Sequence, residues 1–145
     1  MAIQRLENVG IVVDDLEAAT AFFVQLGLSV QGTALVEGTW VDRVVGLEGV
    51  RTDIAMLQTP DGHGQLELMN FRAPPAGGGD PDAPPNTLGI RRLAFAVDDI
   101  DATVAGLQDR GVELVGEVVQ YEDSYRLCYV RGPEGILVML AEQIG

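Results

Sequence analysis

RLAFAVDDIDATVAGLQDRGVELVG, residues 92–116, repeats without a gap the pattern of NVGIVVDDLEAATAFFVQLGLSVQG, residues 8–32. At a shift of 84 positions, from residue 8 to residue 92, the identical residues of the first copy are Val13, Asp14, Asp15, Ala18, Ala21, Gly27 and Gly32. A repeat of this length fixes the architecture before any single motif is interpreted. One supersecondary unit therefore occurs twice.

Each copy predicts a strand, a helix and a second strand. In the first copy, alternating apolar residues predict a strand over 3–13, and Asp14 or Asp15 caps a helix that ends at Gly27. A strand over 28–33 follows. In the second copy the corresponding segments are a strand over 92–97, a helix capped by Asp99 that runs through residue 110, and a strand over 112–119. Helix and strand thus alternate in the same order in both copies.

Two further strands complete each copy. They cover 52–59 and 65–71 in the first, and 125–131 and 136–141 in the second, each pair joined by a turn with a Pro-acid-Gly motif. Residues 36–50 are glycine-rich and predict a loop with helical character. The predicted fold class is α+β, with two tandem β-α-β-β-β modules that form a curled mixed sheet with a concave cup.

The domain organisation follows from composition. Module 1 covers 1–72, a linker rich in Pro and Gly covers 73–89, and module 2 covers 90–145. The exposed sheet face of one module cannot bury itself alone, so the two modules are expected to pack into a single domain.

The composition excludes several classes of partner. The formal net charge of −13 disfavours nucleic acid, because phosphates would be repelled over most of the surface. No apolar run is long enough to span a membrane. A single cysteine, Cys128, forms no internal disulfide, which fits the cytoplasm. We expect a protein of the cytoplasm that contacts neither nucleic acid nor membrane.

The paired modules, with a Val-Asp-Asp-[Leu/Ile] helix entry in each, resemble the vicinal oxygen chelate superfamily. This group includes glyoxalase I, extradiol dioxygenases, epimerases, fosfomycin-resistance enzymes and bleomycin-resistance proteins. The resemblance covers almost the whole chain apart from the linker. It implies a cup that holds a ligand or metal, a homodimer, and four metal-ligand positions, which are here Asn8, Glu67, Arg92 and Met139.

Those four positions do not carry the usual ligands. Only Glu67 keeps one, since Arg92 is a permanent cation and Met139 a soft thioether, neither of which suits the divalent ions of such sites. We therefore expect no metal and no cofactor. A buried carboxylate needs a positive partner, and we predict that Arg92 pairs with Glu67 in place of the metal charge.

Strand alternation also predicts which side chains line the cup. Met69, Phe71 and Met139 would form a soft apolar lining on the same face as the four positions, although an ordinary core role is an open alternative. Aromatic side chains on segments that could close the mouth complete the predicted ligand-binding set: Trp40, Tyr121 and Tyr125.

The sequence offers no nucleophile arrangement, and we assign no catalytic residue. Ser29 and Ser124 have no histidine nearby in sequence. The leading hypothesis is a metal-independent protein that sequesters a bulky, partly aromatic antibiotic or metabolite. The alternative is a glyoxalase-like lyase, isomerase or dioxygenase with an atypical metal site or with Glu67 as general base. A structural or regulatory role is a third possibility.

Overall fold

The computed structural model describes residues 2–145, and its contacts divide the chain into two compact units. Unit 1 extends to Gly78, and unit 2 covers Gly79–Gly145. The boundary lies inside the segment 73–89 that composition identifies as a linker. No helix among the described residues is long and apolar enough to cross a membrane.

Unit 1 contains a four-stranded mixed sheet. Its elements are β1 (Val9–Val12), α1 (Leu16–Leu26), β2 (Ser29–Glu37), α2 (Thr39–Val45), β3 (Arg51–Gln58) and β4 (Gln65–Ala73). The strand order is β1-β4-β3-β2, with β1 parallel to β4 and the other neighbours antiparallel.

Unit 2 contains a second mixed sheet of five strands. Its elements are β5 (Arg92–Ala96), α3 (Ile100–Gln108), β6 (Glu113–Leu114), β7 (Val119–Tyr121), β8 (Tyr125–Arg131), a 3-10 turn (Pro133–Gly135) and β9 (Leu137–Gln143). The order is β5-β9-β8-β6, β5 is parallel to β9, and β7 pairs with β8. The α+β class and the two tandem modules are confirmed.

The register of the parallel strand pair is the same in both units. Gly10 of β1 lies opposite Glu67 of β4, and Ala94 of β5 lies opposite Met139 of β9. Gly10 and Ala94 are equivalent in the sequence repeat, so Glu67 and Met139 occupy equivalent places in the two sheets. The internal repeat therefore extends from the sequence to the hydrogen-bonded pairing.

Aspartates start both long helices. Asp15 accepts a hydrogen bond of 2.9 Å from the Ala18 N–H, and Asp99 accepts one of 3.0 Å from the Ala102 N–H. Each cap satisfies a backbone donor that the first turn leaves free. Gly27 ends α1 in the left-handed conformation at φ 116°, as predicted.

Side chains of the last strand hold each helix start against its sheet. The Asn70 amide nitrogen donates to the carbonyls of Val13 (3.0 Å) and Asp14 (2.8 Å) at the end of β1. In unit 2 a Glu142 carboxylate oxygen accepts from the Ile100 N–H at 2.8 Å. These contacts hold the start of each helix against one side of its sheet.

The core of each unit lies between the helix and the sheet. In unit 1, Phe22 and Phe23 of α1 are buried with the β-strand residues Ala55, Leu57, Leu66 and Leu68; in unit 2, Ile100, Val104 and Leu107 of α3 are buried with Cys128, Val130, Val138 and Leu140. The alternate residues of the same strands therefore point to the opposite face of each sheet. This face is called the open face here, because neither α1 nor α3 packs against it.

Three predicted elements differ from the structure. The first strand begins at Val9, not at residue 3, and residues 3–7 are exposed, so their alternation reflects no buried face. The segment 112–119 forms only the short strands β6 and β7, because Gly116 and its neighbours leave the sheet between them. The segment 36–50 contains α2, whose ends are marked by Gly38 and Gly46.

Candidate functional site

The open face of the unit 2 sheet carries a depression of about 370 Å³. Its lining residues are Pro85, Val115, Gly116, Glu117, Leu127, Cys128, Tyr129 and Met139. Most of this surface comes from aliphatic, thioether and aromatic groups. The predicted site residue Met139 thus lies in the wall of an apolar hollow.

Strand pairing explains why the hollow forms here. Met139 in β9 lies between Tyr129 of β8 and Ala94 of β5, and Leu127 lies opposite Ala141 one step along the same face. These pairings place three of the lining residues, Leu127, Tyr129 and Met139, on one face of the sheet. Neighbouring strands therefore supply the floor of the depression.

Arg92 lies at the border of this depression, bound to one of its lining residues. Its Nε donates a hydrogen bond of 2.7 Å to the Tyr129 hydroxyl, and its guanidinium carbon lies 5.9 Å from the centre of the Tyr129 ring. Arginine is well suited to this double contact, because its planar head both donates in a fixed direction and lies against aromatic faces. The predicted pairing of Arg92 with Glu67 stays a prediction.

Tyr121 and Tyr125 lie directly opposite each other where β7 turns into β8. They share the sheet face of Leu127, and 57% and 40% of their surfaces are exposed. Large exposed aromatic groups next to an apolar recess can stack on a bound ligand. Their predicted role at the mouth of the site stays a prediction.

Unit 1 presents three predicted residues on one face of β4. Glu67, Met69 and Phe71 alternate with the buried Leu66 and Leu68, and each is half-buried. Across the sheet they face Met56, Ile54 and Thr52 of β3, in that order. One carboxylate therefore lies on a face built largely from thioether and apolar groups.

Gly10 leaves room for the Met69 side chain. A Cβ at Gly10 would come within 2.9 Å of the Met69 terminal methyl. Two other predicted residues lie away from β4: Asn8 is half-buried one residue before β1, and Trp40 lies in the first turn of α2 with 61% of its surface exposed. Whether either contacts a ligand stays a prediction.

The four family ligand positions do not fit a divalent metal. Arg92 offers a guanidinium that binds Tyr129, while Met139 offers only a thioether to the apolar recess. Among residues 2–145, no three His, Cys, Asp or Glu side chains cluster in a way that could hold an ion. Asn8 and Glu67 alone would make an incomplete donor set.

Several lining residues were not predicted from sequence. Leu127, Tyr129 and Val115 line the unit 2 depression, and Met56 faces Glu67 in unit 1. The same alternation that identifies Met139 could have found Tyr129 and Leu127, because both lie on a strand of clear period two. Cys128, between them, is buried on the helix side, and that burial raises the pKa of its thiol.

Comparison with known proteins agrees with this geometry. Residues 7–129 match the model of the glyoxalase, bleomycin resistance protein and dioxygenase superfamily. The chain belongs to this superfamily. The family that the sequence resembles is thereby confirmed, and so is the fold expected for it.

Three relatives illustrate the range of the match. The crystal structure of a glyoxalase family protein from Bacillus cereus is 52% identical with a TM-score of 0.96, covering 100% of this chain and 99% of that one. The uncharacterized protein YaeR of Escherichia coli K12 is 28% identical, covering 99% of each chain. TnmS3, described as an antibiotic binding protein from Streptomyces sp. CB03234, is 24% identical with a TM-score of 0.64 and covers 99% of this chain and 98% of its own, a likeness of fold alone.

Proposed function

We propose that this protein binds and sequesters a bulky, partly aromatic small molecule without using a metal. The observation that carries the proposal is the apolar depression of about 370 Å³ on the open face of unit 2. Small-molecule sites are concave, mainly apolar and hold a few polar groups that orient the ligand. Tyr129 and the adjoining Arg92 supply those polar groups.

The composition of the open faces supports a ligand of irregular or planar shape. Methionine side chains are flexible and polarizable, so they adapt to such ligands and contact aromatic rings favourably. Met139 lies in the unit 2 recess, while Met56 and Met69 lie on the equivalent face of unit 1. Tyr121 and Tyr125 would then provide aromatic contacts beside the recess.

Metal independence rests on the chemistry of the family ligand positions. Arg92 and Met139 replace two ligands in unit 2, and Asn8 replaces one in unit 1. A guanidinium at a coordination centre would repel a divalent ion. The shared fold with a protein described as antibiotic binding supports the proposal and makes antibiotics the first ligand class to test.

The test is a thermal-shift screen of aromatic and polycyclic antibiotics, with metal analysis of the same preparation. A ligand present at about 100 times its Kd should stabilise the protein by about 2.7 kcal/mol. Met139→Arg, which places charge in the recess, is the loss-of-binding variant, and Ile3→Arg, at a position where 84% of the surface is exposed, is its matched control. Binding that survives chelator treatment supports capture, whereas stoichiometric metal that is required for binding contradicts it.

A glyoxalase-like enzyme is the second candidate, and Glu67 is the observation that favours it. Its carboxylate lies half-buried on a face with Met56 and Met69, where a general base would be partly shielded from water. Turnover of an α-keto or enolisable substrate that Glu67→Gln abolishes, with binding retained, would support an enzyme. Binding without turnover would favour capture.

The proposal also includes a homodimer located in the cytoplasm. Large apolar side chains are exposed on α2 and after it, with Val44 75% and Leu47 46% exposed. Exposed apolar groups of this kind are typical of surfaces that pair. Light scattering after gel filtration measures the mass directly, and a monomer of 15.5 kDa would contradict the dimer.

A further inference from the structure

We infer that the ligand carries an anionic oxygen group, a carboxylate in the simplest case, that binds Arg92 and Tyr129. This inference rests on the proposed function and names the chemical class of its ligand: a one- or two-ring aromatic acid. The apolar part would occupy the recess beside Met139, and the carboxylate would lie at the Tyr129 hydroxyl.

The donors at this border are arranged for an oxyanion. Because Tyr129 accepts a hydrogen bond from the Arg92 Nε, its own hydroxyl hydrogen is free to point elsewhere. The Nη hydrogens of Arg92 take no part in that hydrogen bond. A tyrosine O–H and a guanidinium edge side by side can bind the two oxygens of one carboxylate, and such charge-assisted bonds are about twice as strong as neutral ones.

The side-chain partner that the structure gives Arg92 within unit 2 is a hydroxyl and not a carboxylate. All nine basic residues are arginines, and carboxylates hold Arg5, Arg51, Arg72 and Arg126. Within unit 2 the Arg92 guanidinium binds the Tyr129 hydroxyl, whereas Arg126 binds the Asp101 carboxylate at 2.7 Å. Arg92 is exposed, so its charge is accessible at the border of the recess.

A carboxylate in the wall of the depression restricts where the acid group of the ligand can lie. Glu117 also lines the depression, and its carboxylate would repel an anion placed beside it. The ligand is therefore expected to bind in one orientation, with its acid group toward Arg92 and its rings along Leu127 and Met139. Orientation by one attractive and one repulsive charge would confer selectivity on an otherwise apolar site.

Matched probes test the inference: 2-naphthoate, 2-naphthamide and 2-(aminomethyl)naphthalene, measured by calorimetric titration at low salt. We expect naphthoate to bind about 10- to 100-fold more tightly than the amide, from charge-assisted hydrogen bonds worth about 1.5–3 kcal/mol. Arg92→Gln should abolish the preference, Tyr129→Phe should reduce it, and Glu117→Gln should strengthen naphthoate binding. Arg110→Gln, which removes the same charge at the exposed end of α3, should leave the preference intact.

The outcomes separate this inference from the proposed function. If all three probes bind equally well, or if Arg92→Gln keeps the preference for naphthoate, capture stands and the anionic class is wrong. If the amine binds best, the acidic surface and not Arg92 selects the ligand, which also overturns the inference. If no naphthyl probe binds while polycyclic antibiotics do, capture stands and the small aromatic acid is wrong. If no aromatic compound binds at all, the proposed function fails as well.

Discussion

Arg131 donates hydrogen bonds to the linker backbone, from Nη1 to the Pro81 carbonyl at 2.9 Å and from Nη2 to the Ala83 carbonyl at 3.1 Å. Ala83 is buried, with 6% of its surface exposed. The second part of a segment that composition marks as a flexible spacer is thus fixed onto the β8–β9 hairpin of unit 2. Pro85, a few residues later, lines the depression, so this anchoring contributes to the shape of the candidate site.

Gly135 is the position where this anchor tolerates no side chain. Its φ of 82° lies in the left-handed region, and a Cβ there would collide with the backbone of Pro81. We expect Gly135→Ala to lower the free energy of unfolding by about 2–4 kcal/mol, from backbone strain and the clash together. Chemical denaturation measures it.

Gly106→Ala is the matched control for that substitution. Gly106 lies inside α3, where a Cβ would meet no atom within 4 Å. Alanine should stabilise the helix there by about 0.5–1 kcal/mol. Equal effects of the two substitutions would contradict the anchored linker.

The anchor also shows which features of the fold can be predicted from the sequence. The repeat predicts both helices, their aspartate caps and the strand faces, because these depend on local periodicity and on residues close in sequence. The contact between Arg131 and Pro81 joins residues 50 positions apart, and nothing in the composition of a Pro/Gly segment indicates it. Trp40 shows the same limit, since three nearby glycines predicted a loop with helical character where the regular helix α2 forms.

The site divides in the same way. Strand alternation predicts that Met139 faces away from the helix, and the structure places it in the recess. Tyr129, which lies opposite Met139, was not predicted, because it lies outside the positions where the family carries its ligands. Pairing of side chains across strands depends on register, which a single sequence does not specify for distant strands.

Double-mutant cycles measure both partners of Arg92. Combining Arg92→Gln with Tyr129→Phe should reveal a coupling energy of about 1 kcal/mol, because the structure shows that hydrogen bond. Combining Arg92→Gln with Glu67→Gln tests the pairing predicted from sequence, and a coupling of similar size would identify Glu67 as a second partner of the guanidinium. Additive effects in the second cycle would remove Glu67 as a partner.

Acid stability should depend on Asp53. Arg72 binds its carboxylate through two hydrogen bonds of 2.6 and 2.8 Å. These hydrogen bonds are the main reason why the pKa of Asp53 is lowered. A depressed pKa stabilises the fold above the pKa of the unfolded chain, and this contribution is lost as pH falls through the lower folded value. The Tm of the wild type should therefore fall more steeply than that of Asp53→Asn between about pH 5 and pH 2.

Arg72→Gln provides the reciprocal control. Removing the cation should make the fall in Tm at acid pH less steep, because the Asp53 carboxylate then loses the partner that lowers its pKa. Parallel curves for the wild type and both variants would show that this pair does not contribute to acid stability.

Restoring the family ligands should create a metal site. The triple variant Asn8→His, Arg92→His, Met139→Glu would supply three donors at the positions that the family resemblance assigns to metal ligands together with Glu67, and it would remove the cation and the thioether that do not suit a divalent ion. We expect this variant to retain about one Ni²⁺ or Zn²⁺ per chain after gel filtration and to gain thermal stability with the ion, in line with metal binding to the folded state alone.

Asn8→Gln, Arg92→Gln, Met139→Gln is the control, since it changes the same three positions without adding imidazole or carboxylate. It should retain no metal, and neither should the wild type. The triple ligand variant should also bind 2-naphthoate more weakly than the wild type, because Arg92 and Met139 are lost from the recess and its border. Stoichiometric metal in the wild type would instead mean that Glu67 and Asn8 suffice with other donors, and metal independence would be wrong.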